Sequence, residues 1–465
     1  MRASASRRRP SAPLGSLRAN LTNCIIEGTF ATPWVFLALP GNFLLSMLLV
    51  DRFGLDKATY GWIASLPFWA NFLQVFIVPF LARYLTGRDL AVNMAWFNVG
   101  LWLTFVGFLP YVPTEDPGAV RELMLFFFTG ICITASLVTV GWTAWTRDWV
   151  PTPLQSRYFG VRNRWINAAT VAYLVLVAAL AYDAEGSSIR HFQWLIGIGV
   201  VARLGSALWN NTIRTPGKDG ELSRAHFWQN LRLLKGEKAF WRFVIFAAWV
   251  GFWISFISPF VPLYVYRHLD GTVFLMATLT ILSTLMGAIA MPHVGRLVER
   301  HGARPVIMLS LVAWKGMDYT WLFLNPGNRW ILYPLWCWGG TVSVGYLLGI
   351  FLLLMKLVPR HAKSAAISIH LAITSLGTAM GPVAAGWFLS QGQNWGLDEA
   401  TLFRIGFALS FTFTIASILI LRPVQEPNVK GEASMLGTMR SLRQLMLYTG
   451  MGAFLNTNLS RRHGR

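Results

Sequence analysis

The chain has 465 residues, of which 54% are hydrophobic, 14% are aromatic and only 13% are charged. Because soluble globular proteins carry about 25% charged residues, this composition excludes a cytosolic enzyme, a secreted domain and a disordered scaffold. Basic residues outnumber acidic ones by 40 to 20, which gives a formal net charge of +20. The three cysteines have no CxxC spacing, so they predict neither a disulfide framework nor a zinc site.

Apolar segments long enough to cross a bilayer, which takes about 20 residues, recur along the whole chain. The sequence predicts twelve of them, and an even number places both termini on the same side of the membrane. The segments, numbered one to twelve in chain order, are 25–50, 59–81, 90–112, 122–145, 164–182, 191–213, 243–266, 273–293, 305–325, 331–355, 364–390 and 400–421.

The distribution of Lys and Arg predicts which side the termini occupy. Most of these residues lie before the first segment, in alternate loops and after the last segment, whereas the opposite loops hold few. Because cytoplasmic loops are enriched in Lys and Arg, we predict that both termini are cytosolic and that the chain crosses a plasma membrane, a bacterial inner membrane, many times. The positive charge therefore reflects topology and does not indicate a nucleic-acid partner.

The same pattern divides the chain into two bundles of segments and three cytosolic parts. The five parts are a basic N-terminus at 1–24, an N-terminal six-helix bundle at 25–213, a central loop at 214–242, a C-terminal six-helix bundle at 243–421 and a basic tail at 422–465. The bundles also echo each other, because Pro79 matches Pro292, Arg83 matches Arg296, and Val150-Pro151 matches Val358-Pro359. A duplicated six-segment unit is typical of transporter folds that bind substrate between the repeats.

A short motif follows the eighth segment, where residues 295–304 read GRLVERHGAR. This run closely resembles, in its second-half copy, a loop motif of the major facilitator superfamily, and the small residues Gly377, Gly381, Pro382 and Gly386 are similar to that family's eleventh helix. The resemblance implies an all-α membrane protein with 12 transmembrane helices in two pseudo-symmetric six-helix bundles. It also implies a monomeric secondary active transporter that moves a small organic solute by alternating access without a cofactor. It leaves H⁺ or Na⁺ coupling, the direction and the substrate open.

In the family this loop is a cytoplasmic latch between helix ends. The resemblance therefore assigns a latch role to Gly295, Glu299, Arg300, Gly302 and Arg304. We expect a second charge cluster after the fourth segment, formed by Asp148, Arg157 and Arg162, with Asp148 paired to one of the two arginines. The alternative for the loop at 295–304 is a basic loop that only determines topology.

The family lines its substrate cavity with the first, fourth, seventh and tenth helices. The corresponding segments here offer the cavity candidates Trp34, Asn42, Thr139, Trp142, Thr143, Trp249, Trp253, Trp338, Thr341 and Tyr346. Aromatic faces with hydroxyls suit a substrate that has an apolar or planar part and a few hydrogen-bonding groups. The alternative for each tryptophan is an interfacial anchor or lipid-facing packing.

Three ionisable residues within segments are candidates for proton or ion coupling, because charges in hydrocarbon are costly and are retained for a reason. They are Glu27, Asp318 and His370. For Glu27 we favour an interfacial acid with its hydrogen bonds satisfied over a proton carrier. Lys315 and Asp318 are three residues apart and are expected to pair on one helix face, and a lone histidine more often serves as a packed hydrogen-bonding group.

Two alternative functions stay open at this point. The first is a multi-span membrane enzyme acting on a lipid-linked substrate, for which Asp51 and Asp56 are the acids that resemble a catalytic pair. The chain lacks HExxH, GxSxG and P-loop patterns, so we predict that it is not an enzyme. The second is a sensor of the same fold that binds its ligand without transporting it.

Overall fold

The computed structural model describes residues 17–39, 41–181, 188–215, 227–359 and 362–427. Within these ranges the regular elements are helices joined by short turns. Residues 1–16 and 428–465, which make up most of the predicted basic N-terminus and tail, lie outside the described residues, as do the side chains of Asp148 and Arg157.

The described residues of the first half form seven α-helices. They are α1 (Leu17–Leu37), α2 (Phe43–Met47), α3 (Lys57–Leu81), α4 (Gly87–Phe108), α5 (Pro117–Trp149), α6 (Thr152–Ala181) and α7 (Ile189–Thr212). The first predicted segment is divided between α1 and α2, and α1 begins earlier than the predicted start at 25. The break has a local cause, because Asn42 caps α2 by accepting the backbone N–H groups of Leu44 and Leu45.

The second half supplies the remaining helices. They are α8 (Phe227–Leu233), α9 (Lys238–Ile257), α10 (Val261–His268), α11 (Val273–His301), α12 (Ala303–Asp318), α13 (Leu332–Leu357), α14 (Lys363–Gln391), α15 (Glu399–Ala416) and α16 (Ile418–Leu421). Between α11 and α12 the chain turns at Gly302, whose φ of 89° is a backbone conformation that side chains with a Cβ rarely adopt.

Ten of the described helical stretches are long and apolar enough to cross a membrane. The two other predicted segments correspond to the broken pair α1–α2 and to the shorter α12, which continues into a 3₁₀ turn at Tyr319–Phe323. The all-α fold predicted from the sequence is therefore confirmed, while the count of twelve segments, six in each half, stays a prediction.

The two halves meet along two helix pairs, α3 with α14 and α6 with α11. Small residues bring α3 and α14 together, because a Cβ at Gly61 would collide with the carbonyl of Pro382, and one at Gly386 would collide with the carbonyl of Lys57. Small residues at such contacts are what allows helices to pack closely in lipid. The predicted small-residue face of the eleventh segment thus has a direct structural role.

Candidate substrate pathway

A cleft separates the two halves at one end of the molecule. A cavity of about 440 Å³ lies there between α3, α5 and α14. Its walls are formed by Asn71, Gln74, Val75, Val78, Pro79, Thr139, Val140, Thr143, Ala144, Arg147, Asn230, Ile367, Ser368 and Leu371. Thr139 and Thr143 are exposed in it, so this end of the cleft is open. We name this end of the molecule the terminal end, and it comprises the turns at 82–86, 150–151 and 302.

The two halves are in contact at the opposite end, which we name the loop end and which comprises residues 48–57, 258–273 and 391–399. There the hydroxyl of Tyr60 donates a hydrogen bond of 2.9 Å to the carbonyl of Pro259, across the two halves. A Cβ at Gly41 would lie 3.1 Å from the same proline. Helices α3 and α14 therefore touch near the loop end and diverge around the cavity at the terminal end.

Charged side chains tie the loop end together. Nε of Arg267 lies 2.7 Å from Oδ1 of Asp51, and Nη1 of Arg267 lies 3.1 Å from Oε1 of Glu399. Nζ of Lys57 is 2.8 Å from the same oxygen of Glu399. Burial raises the pKa of the Asp51 carboxyl above its usual range, and the nearby Arg267 guanidinium opposes that shift. The network forms a closed gate between the halves.

A second, smaller cavity of about 170 Å³ extends the pathway toward the middle of the first half. Trp34, Asn71 and Thr139 lie in its wall, and the last two are shared with the larger cavity. The hydroxyl of Ser136, in the wall of the smaller cavity, donates a hydrogen bond of 2.7 Å to the side chain of Gln74, in the wall of the larger one. The predicted residues Trp34, Thr139 and Thr143 thus line the cleft.

The other predicted cavity residues have their polar atoms or rings engaged within their own half, outside the two cleft cavities. Asn42 caps α2, Trp249 donates to the carbonyl of Phe413, and the Trp253 ring stacks on Phe413 with 4.4 Å between centroids. Trp338 donates a hydrogen bond to the carbonyl of Ala313, and Thr341 donates one to the carbonyl of Cys337. The side chain of Tyr346 is buried. The guanidinium of Arg162 lies over the Trp142 ring, 4.4 Å from its centre. Whether any of them reaches the substrate in another conformation stays a prediction.

Sequence reasoning missed the polar contribution of the second and eleventh segments. Asn71 and Gln74 on α3 and Ser368 on α14 line the main cavity. They were missed because the search was confined to the four helices that the family resemblance pointed to. Amide side chains inside a predicted membrane segment were the available signal, because such groups need partners in hydrocarbon.

A buried charge cluster lies within the first half, behind the cleft. Oε2 of Glu27 is 3.3 Å from Nη2 of Arg162, and Oε1 of Glu27 accepts a hydrogen bond from Ser206. Arg203, which is 2% exposed, donates to Ser206 and Asn98. Glu27 therefore contacts side chains of two other helices, and whether it is a structural acid or a proton carrier stays a prediction.

The predicted latch residues take two different roles at the terminal end. Glu299 and Arg300 are exposed, and a Cβ at Gly295 would meet open space. The backbone N–H groups of Ala303 and Arg304 donate to Glu426, which also lies 2.6 Å from Nζ of Lys356. In the second predicted cluster, Arg162 pairs with Glu27. The predicted pairing of Asp148 falls outside the part of the chain whose side chains are described, as does the side chain of Arg157.

The two remaining ionisable candidates are buried in the second half. Lys315 and Asp318 form the predicted ion pair, with 2.7 Å between Nζ and Oδ2. The ring of His370 stacks on Phe243 with 5.4 Å between centroids. A group of three metal-binding side chains is absent from the described residues.

The comparisons with known proteins agree with this architecture. Residues 252–459 match the family model of the Major Facilitator Superfamily. The fold resembles that of the nucleoside transporter NupG, with a TM-score of 0.64 at 14% identity, over 87% of this chain and 99% of that one. A D-xylose–proton symporter gives 0.66 at 12% identity, over 89% and 100%, and an inward-open xylose transporter XylE from E. coli gives 0.65 at 10% identity, over 90% and 99%.

The match to the family model lies within the second half, at residues 252–459, and the likeness in fold extends over both halves. No curated protein matches this chain significantly over its sequence, so its substrate has to be inferred from the cleft itself.

Proposed function

We propose that this chain is a member of the major facilitator superfamily and a secondary active transporter that moves a small, uncharged, polar organic solute by alternating access. The observation that carries the proposal is the asymmetry of the cleft between the halves. Its loop end is closed by the Asp51–Arg267 contact, whereas its terminal end holds a cavity of about 440 Å³ with exposed wall residues. A site that opens to one side at a time is the geometry required for transport.

The cavity walls favour an uncharged polar solute. Amide and hydroxyl groups of Asn71, Gln74, Thr139, Thr143 and Ser368 face the space together with apolar side chains. Arg147 is the one ionisable residue among the lining residues, and it has contacts of its own. A cationic substrate would lack a carboxylate partner there, and an anionic one would have to compete with the contacts that Arg147 already makes, while hydroxyl and amide groups of a solute find donors and acceptors. Solved proteins of the same fold include a nucleoside transporter and a xylose symporter.

We infer that the terminal end faces the cytosol and that the membrane is a bacterial plasma membrane. The excess of Lys and Arg on the side of the termini supports this orientation. The described conformation is then inward-facing, and the exposed Glu299 and Arg300 belong to a latch that is open. In the outward-facing state we expect this latch to hold the terminal end closed.

The alternative of a lipid-linked enzyme loses support at its two acids. Asp51 is committed to Arg267, and Asp56 caps α3 by accepting the backbone N–H of Thr59 at 2.9 Å. Neither carboxylate is thereby left facing a cavity as a general acid or base. The geometry therefore favours transport over catalysis.

The test is counterflow in proteoliposomes, with labelled uridine and labelled D-xylose as probes. We expect one of them to exchange, and we expect Gln74→Leu and Thr143→Val to lower the rate at least tenfold. The matched control is Thr104→Val, which removes a hydroxyl bonded to the carbonyl of Gly100 on its own helix and lies outside the walls of both cleft cavities. Saturable binding of a probe without exchange would contradict transport and favour the sensor.

A further inference from the structure

A separate cavity of about 270 Å³ lies inside the second half, between α9, α12, α13 and α15. Residues that carry its polar and aromatic character are Ser283, Trp314, Lys315, Asp318, Trp336 and Ser410. It shares no wall residue with the two cleft cavities. Whatever binds there would therefore occupy a second site, away from the proposed transport pathway.

The polar centre of this cavity is the ion pair between Lys315 and Asp318. The two residues are 6% and 8% exposed, and their charged atoms are 2.7 Å apart. The ammonium also lies over the Trp314 ring at 4.0 Å and 5.3 Å from the centre of the Phe411 ring. An ammonium has three donors and a carboxylate has about four acceptor positions. Their mutual contact uses one of each, so the pair can offer both a donor and an acceptor to a ligand.

The charge balance of the cavity selects against ions. The charges of Lys315 and Asp318 cancel, and most of the surrounding wall is apolar. A ligand with a net charge would add an uncompensated charge to this environment, which is costly. An uncharged ligand with a donor next to an acceptor matches the pair without that cost.

The aromatic walls select for a flat molecule. Trp321 and Trp336 pack edge to face with 5.3 Å between centroids, and Phe407 stacks on Phe411 at 5.9 Å. Offset and edge-to-face ring contacts are the favourable arrangements for an aromatic guest. The volume accommodates a compound of one or two rings.

We propose that this cavity is a binding site for a small, uncharged, planar heteroaromatic compound that carries adjacent hydrogen-bond donor and acceptor groups. Lys315 donates to the acceptor of the ligand, Asp318 accepts from its donor, and Trp314, Trp321 and Trp336 enclose its ring. The site goes beyond the proposed transport function, because the cleft does not include it.

The probe for the experiment is nicotinamide, which is uncharged and planar and carries an amide. Binding to the purified full-length protein is measured by isothermal titration calorimetry, with benzoate and benzylamine as charged analogues. We expect saturable binding of nicotinamide and at least tenfold weaker binding of both analogues. Absence of saturable nicotinamide binding, or tighter binding of an ion, would overturn the proposal.

Two variants test the location of the binding. At Gly339, in the cavity wall, a Cβ would meet only the Trp314 indole, at 3.6 Å, so Gly339→Leu should fill the cavity without a backbone clash and abolish binding. The double variant Lys315→Met with Asp318→Leu should fold, because replacing a buried ion pair by apolar residues is often neutral or stabilising, and it should bind at least tenfold more weakly.

The control is Thr139→Leu, which alters the cleft and should leave nicotinamide binding unchanged. If Thr139→Leu abolishes binding while Gly339→Leu does not, the ligand occupies the cleft and the proposal is wrong. Counterflow of uridine or D-xylose is measured independently, so loss of this site and loss of the transport function remain distinguishable.

Discussion

Arg267 lies 2.7 Å from Asp51 and thereby joins the end of the seventh segment to the end of the first. The same guanidinium contacts Glu399, and Oε1 of Glu399 also lies 2.8 Å from Nζ of Lys57. Asp51 and Lys57 belong to the first half and Arg267 and Glu399 to the second, so each half contributes one acid and one base. Separation of the halves at the loop end must break two ion pairs at once.

The first prediction concerns Arg267→Met, which should loosen the closed loop end. Partly exposed ion pairs contribute up to about 1 kcal/mol, so the open population at this end should rise about fivefold. The measurement is labelling of Ser46→Cys, a buried position on α2, by an impermeant maleimide in a background that lacks Cys24, Cys132 and Cys337.

Arg329→Met is the matched control for that experiment. Arg329 lies at the same end, but its guanidinium donates to the carbonyl of Asp270 within the second half. Its removal changes the net charge equally and leaves the contact between the halves intact. Equal labelling in both variants would mean that charge alone, and not the bridge, controls the gate.

The second prediction is a pH dependence of the same gate. Because burial raises the pKa of Asp51 in the closed state, the closed state binds a proton more tightly than an open state in which Asp51 is hydrated. Lowering the pH from above the raised pKa of Asp51 to the ordinary pKa of an aspartate should therefore favour the closed state of the loop end. Labelling of Ser46→Cys should fall there, relative to Asp51→Asn, which cannot ionise.

This comparison is made with His268→Gln present in both proteins. Nε2 of His268 lies 3.8 Å from Glu399, and burial lowers the pKa of its imidazole below the usual value, toward the acidic window of this experiment, so its contribution has to be removed first. An increase in relative labelling on acidification would contradict the prediction. It would mean that ionised Asp51 holds the gate closed through Arg267 in spite of its burial.

The third prediction concerns Glu426→Gln at the terminal end. Glu426, whose side chain is 3% exposed, accepts the N–H groups of Ala303 and Arg304 and pairs with Lys356. Hydrogen bonds to a charged group contribute about 1.5–3 kcal/mol, so the variant should lower the thermal midpoint in detergent. The control Glu299→Gln removes the exposed acid of the latch motif and should leave the midpoint unchanged. A larger drop in the thermal midpoint of Glu299→Gln than of Glu426→Gln would mean that Glu299 is the acid that stabilises this end.

Features that lie close together in sequence could be predicted, and contacts between distant segments could not. The Lys315–Asp318 pair follows from a spacing of three residues on one helix. The partner of Arg162 is Glu27, 135 residues away. Hydrophobic periodicity does not encode which helices become neighbours, so neither this pair nor the role of Glu426 could be derived from the sequence.

The fourth prediction concerns Glu27→Gln, in the charge cluster of the first half. Glu27 lies 3.3 Å from Arg162, and Arg203 is held nearby through Ser206. The substitution leaves both guanidinium groups without their carboxylate, and breaking a buried ion pair costs about 3–5 kcal/mol. We expect a large drop in the thermal midpoint in detergent and a loss of counterflow.

The double variant Glu27→Gln with Arg162→Gln separates a structural acid from a proton carrier. If Glu27 serves mainly to neutralise buried cations, removing Arg162 as well should recover part of the thermal midpoint, because one unpaired charge fewer remains in the bundle. Counterflow should then recover with stability. If instead Glu27→Gln is stable and exchanges solute but cannot accumulate it in a pH gradient, Glu27 carries the coupled proton, and the structural interpretation of the cluster is wrong.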